Sequence, residues 1–300
     1  MTKELLSYKI DELLPYINWI YYFYAWGFPP RYASAAYVHA CPGCWTTWRG
    51  AFGAEDRSRA DEAIHVYQEA QQVLSLFAEA DIRAASVYRL CQAFADGDDL
   101  LLDGIRLPLL RQQTPHTDGS PYLCLSDFVR PLHKAIPDTV GVFATSIPRY
   151  DEAKRLAGDD PFRSLTAQLL LERLAEAATE RMHERVRRVT WGYAPDERLQ
   201  RGELLTEKFQ GIRPAVGYPS LPDLSVNFIL DQLLTMSEVG IKLTESAMMQ
   251  PDASVSGLML AHPQARYFSV GRIGQDQLDD YARRRGIPLA QLQRFLSNNK

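Results

Sequence analysis

Cysteine is scarce in this chain of 300 residues: there are four, Cys41, Cys44, Cys91 and Cys124. That excludes a disulfide framework, and a chain this long needs no such staples to hold a core. A reducing, cytoplasmic compartment is the expectation. Positive charge is not in excess either. The formal net charge is −4, which excludes a nucleic-acid binder that works through bulk basic charge. Long apolar runs are missing. The greasiest stretch, Ile17 to Phe28 (INWIYYFYAWGF), falls short of the roughly 20 residues that span a bilayer. It is mostly aromatic, so burial or ligand stacking is expected of it and no membrane partner. The N-terminus, MTKELLSYKIDELL, lacks the apolar core of a signal peptide. The sequence has no G-x-G-x-x-G, no P-loop and no G-x-S-x-G. His183-Glu184 begins an H-E-x-x pattern, but Arg187 stands where a zinc-protease motif needs its second histidine.

What is present is a soluble, globular composition, 46% hydrophobic and 23% charged, which excludes disorder and a collagen-like fibre. Apolar spacing predicts a short helix over Ser7 to Leu14, stopped or restarted by Pro15. An amphipathic helix follows over Arg59 to Ala80, with Ile64, Tyr67, Val73, Leu74 and Phe77 on one face. Ala84 to Leu90 reads as a strand that turns at Phe94-Ala-Asp-Gly-Asp-Asp and returns over Leu100 to Leu102. Tyr122 to Val129 is a strand or the start of a helix, and Asp138 to Thr145 a buried strand. Pro161 to Val189 is the longest helix, its apolar residues recurring at 3, 4 and 7. Val226 to Val239 reads as a helix. Val255 to Leu260 and Arg266 to Ile273 read as two strands, and Asp276 to Arg285 and Pro288 to Leu296 as helices. Because the elements are mixed and do not alternate, the expected fold is α+β and not a doubly wound sheet.

Three features invite a chemical reading. Cys41-Pro-Gly-Cys44, with His39 two residues before it, has the spacing of thiolate metal ligands or a redox pair. With no second C-x-x-C to complete a site, it is expected to hold neither metal nor disulfide. Arg181, Arg185, Arg187 and Arg188, and the run Arg283 to Arg285, are interleaved with acids and expected on solvated helix faces. The third feature is the loop Arg213-Pro-Ala-Val-Gly-Tyr-Pro219. Its prolines fix backbone dihedrals, and Gly217 permits a positive φ or a close approach. A rigid backbone array of this kind can read a planar heterocycle. Arg213 offers a fork for a carboxylate and Tyr218 an aromatic face.

The segment GIRPAVGYPSLPD that contains this loop, followed by GIKLTESAMMQPDASVSG (Gly240 to Gly257), resembles the C-terminal activation domain of cobalamin-dependent methionine synthase. The resemblance extends back through LAEAATERMHERVRRVTWGYAPDE (Leu174 to Glu197), LRQQT (Leu110 to Thr114) and YLCLSDFV. It runs forward through HPQARYFSVGRIGQDQLDDYARRRGI (His262 to Ile287). It is dense over 107–300 and thin over 1–106, where only the INW segment and the Arg59 to Ala80 helix suggest the family. It implies one domain over 1–300, curved, with a mainly antiparallel sheet flanked by helices, that binds S-adenosylmethionine in a shallow site. It also implies docking on a cobalamin domain, where an electron from flavodoxin or an equivalent reductase and the methyl of S-adenosylmethionine restore methylcobalamin. Arg213 matches the family arginine that holds the ligand's carboxylate. Pro214, Ala215, Gly217 and Tyr218 match the loop around the adenosyl part, Tyr267 a binding tyrosine and Glu176 a helical glutamate near the site. A sulfonium is a cation, for which an aromatic face and an acid are the expected company.

The departures are specific. Asn18 stands where the family has an aspartate for the ligand's ammonium, so an uncharged acceptor replaces a charged one. Phe268 stands where a second tyrosine is frequent, and Asn227 where the family has a lysine. No D-x-H-x-x-G cobalamin motif and no homocysteine or folate module is present. The expected function is a free-standing activation module acting in trans on a cobalamin protein, with cobalamin reached only through that partner. The alternatives are an independent enzyme that transfers a methyl or 3-amino-3-carboxypropyl group from S-adenosylmethionine, cyclises it or cleaves it, and a non-catalytic sensor of it.

Overall fold

The computed structural model describes residues 2–39, 41–115 and 119–296. In chain order the strands are β1 (Lys3–Lys9), β2 (Arg83–Asp96), β3 (Asp99–Leu102), β4 (Ile105–Pro108), β5 (Asp138–Ser146), β6 (Lys242–Leu243), β7 (Met249–Gln250) and β8 (Ser254–Met259). The helices are α1 (Ile10–Leu13), α2 (Trp19–Ala25), α3 (Pro42–Gly50), α4 (Arg57–Glu79), α5 (Tyr150–Leu156), α6 (Pro161–Arg185), α7 (Arg201–Leu205), α8 (Val226–Leu234), α9 (Gln275–Arg285) and α10 (Leu289–Phe295).

The 14-residue strand β2 organises the main sheet. One of its edges pairs with β5, from Ala85↔Ser146 to Ala93↔Asp138. Its other edge is shared, with β1 along the first half (Lys3↔Arg89 to Lys9↔Arg83) and β3 along the second. The order is β4-β3-β2-β5-β8 with β1 beside β2, and every pairing is antiparallel. Residues two apart share a face of a strand, and here both faces are apolar. Ala84, Tyr88, Leu90, Phe143 and Met259 point into a core with α2, α4 and α6. Val87, Cys91, Ala93, Val140, Val142, Ala144 and Leu258 point into a second core with α8. A small third cluster around Tyr281, Leu292 and Val270 seats α9 and α10. This is the expected α+β architecture, a curled antiparallel sheet flanked by helices. No helix among the described residues is long and apolar enough to cross a membrane.

Several expectations need correction. The first helix begins only at Ile10, because Lys3 to Lys9 is drawn into the sheet as β1; a cross-strand partner overrides a weak local preference. Arg266 to Ile273 is not a strand. Its backbone bonds go one at a time to the neighbouring loop, Val270 N–H to Pro219 O at 2.9 Å and Phe268 N–H to Ser220 Oγ at 3.1 Å, so no ladder forms. Of the two readings of Tyr122 to Val129 the strand is wrong and the helix entry is the nearer, a short 3₁₀ turn over Leu125–Phe128. Cys41 and Cys44, expected unpaired, are joined by a disulfide. Their three-residue spacing at the start of α3 sets the Cα atoms 5.2 Å apart, within bonding range. Arg187, expected on a solvated face, is fully buried.

Candidate ligand site

The longest helix supplies the floor of the site. Asp160 caps α6 by accepting the Arg163 N–H at 2.9 Å, and Pro161 occupies the first turn, where its missing N–H costs nothing. One face of α6 is buried through Ala167, Leu170, Leu171, Leu174, Ala178 and Met182. Beside it lie Glu172, Glu176 and Glu180, spaced by four residues and therefore in line along the helix. Like charges at that spacing cost a helix about 0.2–0.5 kcal/mol per pair, so the arrangement calls for cations. All three acids line a cleft of about 930 Å³.

The facing walls come from distant parts of the chain. Asn18, Tyr21 and Tyr22 enter from α2, Leu204 and Glu207 from α7 and the turn after it, and Tyr267 and Phe268 from the segment before α9. The Arg213 to Ser220 loop completes the rim. Its backbone is fixed by the sheet. Ile212 exchanges two hydrogen bonds with Leu260 (2.9 and 3.0 Å), Leu258 N–H donates to Pro214 O at 3.0 Å, and Val216 N–H donates to Ser256 O at 2.9 Å. This close crossing needs Gly257, where a Cβ would collide with the Pro214 carbonyl oxygen.

All but one of the residues predicted for ligand contact, Asn18, Glu176, Arg213, Pro214, Ala215, Tyr218, Tyr267 and Phe268, thus meet at one cleft. Gly217 does not line it. Its φ of +87° and its bond from N–H to Leu221 O (2.9 Å) make it the pivot of the turn behind the loop. Asn18 is also the N-cap of α2, its Oδ1 accepting the Ile20 N–H at 3.1 Å. Asn227 lies inside the fold, donating to Ala247 O and accepting from the Ser256 hydroxyl. Tyr218 keeps 57% of its surface exposed, and its hydroxyl pKa is raised, first by the Glu176 charge and then by burial. Burial pushes the Tyr267 hydroxyl up to about 12. It accepts the Arg213 backbone N–H at 3.0 Å and so braces the loop.

The Arg213 fork is engaged. Both terminal nitrogens lie 3.1 Å from one oxygen of Glu180, whose other oxygen is 3.6 Å from Arg187. Arg187 in turn holds Glu197 through Nε (2.9 Å) and Nη2 (2.7 Å) and lies 4.0 Å over the Phe209 ring. Its Nη1 meets His183 Nδ1 at 2.9 Å. A guanidinium can only donate, so Nδ1 accepts and the imidazole proton sits on Nε2, toward the Tyr193 hydroxyl at 3.4 Å. Burial, then the Arg187 and Arg213 charges, hold the His183 pKa well below 6.5. The π-helical turn Val186–Thr190, closed by Trp191 N–H to Val186 O at 3.0 Å, ends α6 where Arg187 enters the interior. Sequence reasoning missed Glu172, Glu180 and Glu207. The first two were discoverable as the residues four before and four after Glu176; Glu207, raised in pKa by burial, carries no such signal.

The match to a family model decides the lineage: residues 9–286 fit the model of the vitamin B12 dependent methionine synthase activation domain. The chain belongs to this family. The match takes in most of the N-terminal part, where the sequence resemblance is thin. A crystal structure of the MetH reactivation domain bound to AdoHcy shares the fold, with a TM-score of 0.86 and 33% identity over 100% of this chain and 90% of that one. The walls and floor described above are therefore those of an activation domain.

Proposed function

We propose that this activation domain binds S-adenosylmethionine in the cleft and supports the reductive methylation of a cobalamin protein of methionine synthase type. The observation that carries the reading is the convergence, on one cleft with an acidic floor, of eight of the nine positions that the sequence resemblance assigns to ligand contact. The donor set suits the ligand. An ammonium and a sulfonium are cations, for which Glu172, Glu176 and the Tyr218 face are fitting neighbours. Asn18 would accept from the ammonium, and the Arg213 loop would hold the adenosyl part along its fixed backbone. A ligand carboxylate reaching Arg213 has to share it with Glu180 or displace that acid. When bound, S-adenosylmethionine supplies an electrophilic methyl group; the chain's own residues hold and orient it. The reading takes 1–300 as one ligand-binding unit, because the walls come from both its ends. Its partners are a cobalamin domain or protein and an electron donor of the flavodoxin or reductase kind, met in the cytoplasm, with no nucleic acid or membrane.

Calorimetry with S-adenosylmethionine tests this, with micromolar-range affinity expected, about −8 kcal/mol. Absence of heat and of any thermal shift at millimolar ligand overturns it. The uncharged Asn18 favours a second reading, an enzyme that acts on S-adenosylmethionine alone. Methylthioadenosine or S-adenosylhomocysteine formed by the chain without a partner would establish that reading in its place.

A further inference from the structure

The segment before and within the first turn of α3 lies outside the cleft and has no part in the reading above. There His39, Cys41 and Cys44 bring one imidazole nitrogen and two sulfurs within 4.8 Å of one another. We propose that in the reduced protein these three side chains bind one thiophilic metal ion, zinc in the first instance, and that the disulfide is the closed state of the same site.

Four observations support this. First, ligand atoms around a tetrahedral zinc lie roughly 3.5–3.8 Å apart, given its bond lengths to sulfur and nitrogen, so the cluster needs only a small opening. Second, the Cys44 N–H donates to Cys41 Sγ at 3.1 Å, and Cys41 is the N-cap of the nine-residue α3. Both set positive dipole ends beside the sulfur that would face a metal ion. Third, the group is reachable, with His39 exposed and both cysteines half-buried. Cys91 and Cys124 are the contrast: both are buried, their thiols pushed up to about 12 and about 11, chiefly by desolvation. Fourth, the cross-link does little as a staple. It spans two intervening residues, which removes little loop entropy, and α3 has no buried residue.

The donors are soft sulfur and borderline nitrogen, the set that selects zinc or copper(I) over calcium or magnesium. No fourth ligand joins the group among the described residues, so one coordination position is left for water or an external ligand. Opening takes two electrons and two protons from an external dithiol, which becomes a disulfide. Zinc binding then releases the two thiol protons.

The test uses the full chain, reduced with a phosphine under anaerobic conditions and titrated with zinc against a chromophoric chelator. One zinc per reduced chain and none per oxidised chain is expected. Cys41→Ser and Cys44→Ser should each abolish binding, and His39→Ala should weaken it about tenfold or more, as loss of one of three ligands implies. With no buried residue in α3, these variants should keep the wild-type circular dichroism. No stoichiometric zinc on the reduced chain, or equal binding by the Cys41→Ser/Cys44→Ser variant, overturns the proposal. Affinity for S-adenosylmethionine should be the same in every variant, so failure here and failure of the cleft reading are separately visible.

Discussion

Arg213 is a cation with a resident partner. Glu180 holds its fork, and Glu180 is itself shared with Arg187, so the charge facing the cleft is tied to the protein interior. Under the proposed reading, Arg213→Ala should cost about 2–5 kcal/mol of S-adenosylmethionine affinity, as truncation of a desolvated charge partner does. Arg213→Lys should recover only part, since an ammonium lacks the fork. Calorimetry on folded variants measures both, and an unchanged affinity would remove Arg213 from the site. Asn18→Asp keeps the size and the cap of α2 while adding a charge at the wall. At an effective dielectric of ~20 a carboxylate ~4 Å from a cation gains about 4 kcal/mol, and desolvation leaves roughly 1 kcal/mol of it. About fivefold tighter binding is expected; no change would place residue 18 outside the contact set. At this scale the sequence was most legible where a motif surrounds the residue, as for Arg213, Ala215, Tyr218 and Tyr267. It was least so where a residue acts through another. Nothing in the local sequence says that Glu180 faces Arg213, because that depends on how α6 crosses a loop some thirty residues later in the chain.

Among the elements, the crossing of β8 by the Arg213 loop rests on one position. Gly257→Ala would drive a methyl group into the backbone of Pro214 and Ala215. Overpacking of this kind costs about 1–3 kcal/mol, and here it should also lift the loop from the sheet. Both a lower melting temperature and weaker S-adenosylmethionine binding are expected from differential scanning calorimetry and titration. A loss of stability alone would mean that the loop's position does not govern the site. Long periodic elements were legible, as α4 and α6 show. Elements settled by a distant partner were not. The strand β1 has no strong alternation and exists because β2 offers an edge. The segment around Tyr267 has the composition of a strand, but its neighbours offer single hydrogen bonds and no ladder. The π turn that ends α6 leaves no mark in the apolar spacing at all.

For the molecule as a whole, His183 ties stability to pH. It is neutral and buried in the native state, against Arg187 and Arg213 on the charge side, Glu180 and Glu197 beyond them and Tyr193 on Nε2. The unfolded chain therefore binds the proton first. Its contribution is complete above about pH 6.5 and is lost as pH falls, by up to about 1.4 kcal/mol per unit. Urea unfolding at pH 7.5 and 5.5 should show the drop, and His183→Gln, which cannot take up the proton, should flatten it. An equal drop in that variant would assign the pH dependence elsewhere.

The loop that rims the cleft also closes the open side of the sheet. By bonding to Ser256, Leu258 and Leu260 it occupies backbone groups that β8 would otherwise expose. An unpaired edge of this kind recruits other chains. The backbone of the site is thus tied to the sheet: an insertion between Ile212 and Val216 would break bonds that cover the β8 edge. Under the proposed reading, divergence in what this cleft accepts falls to lining side chains that hold no sheet together, those of Asn18, Tyr21, Glu172 and Glu176.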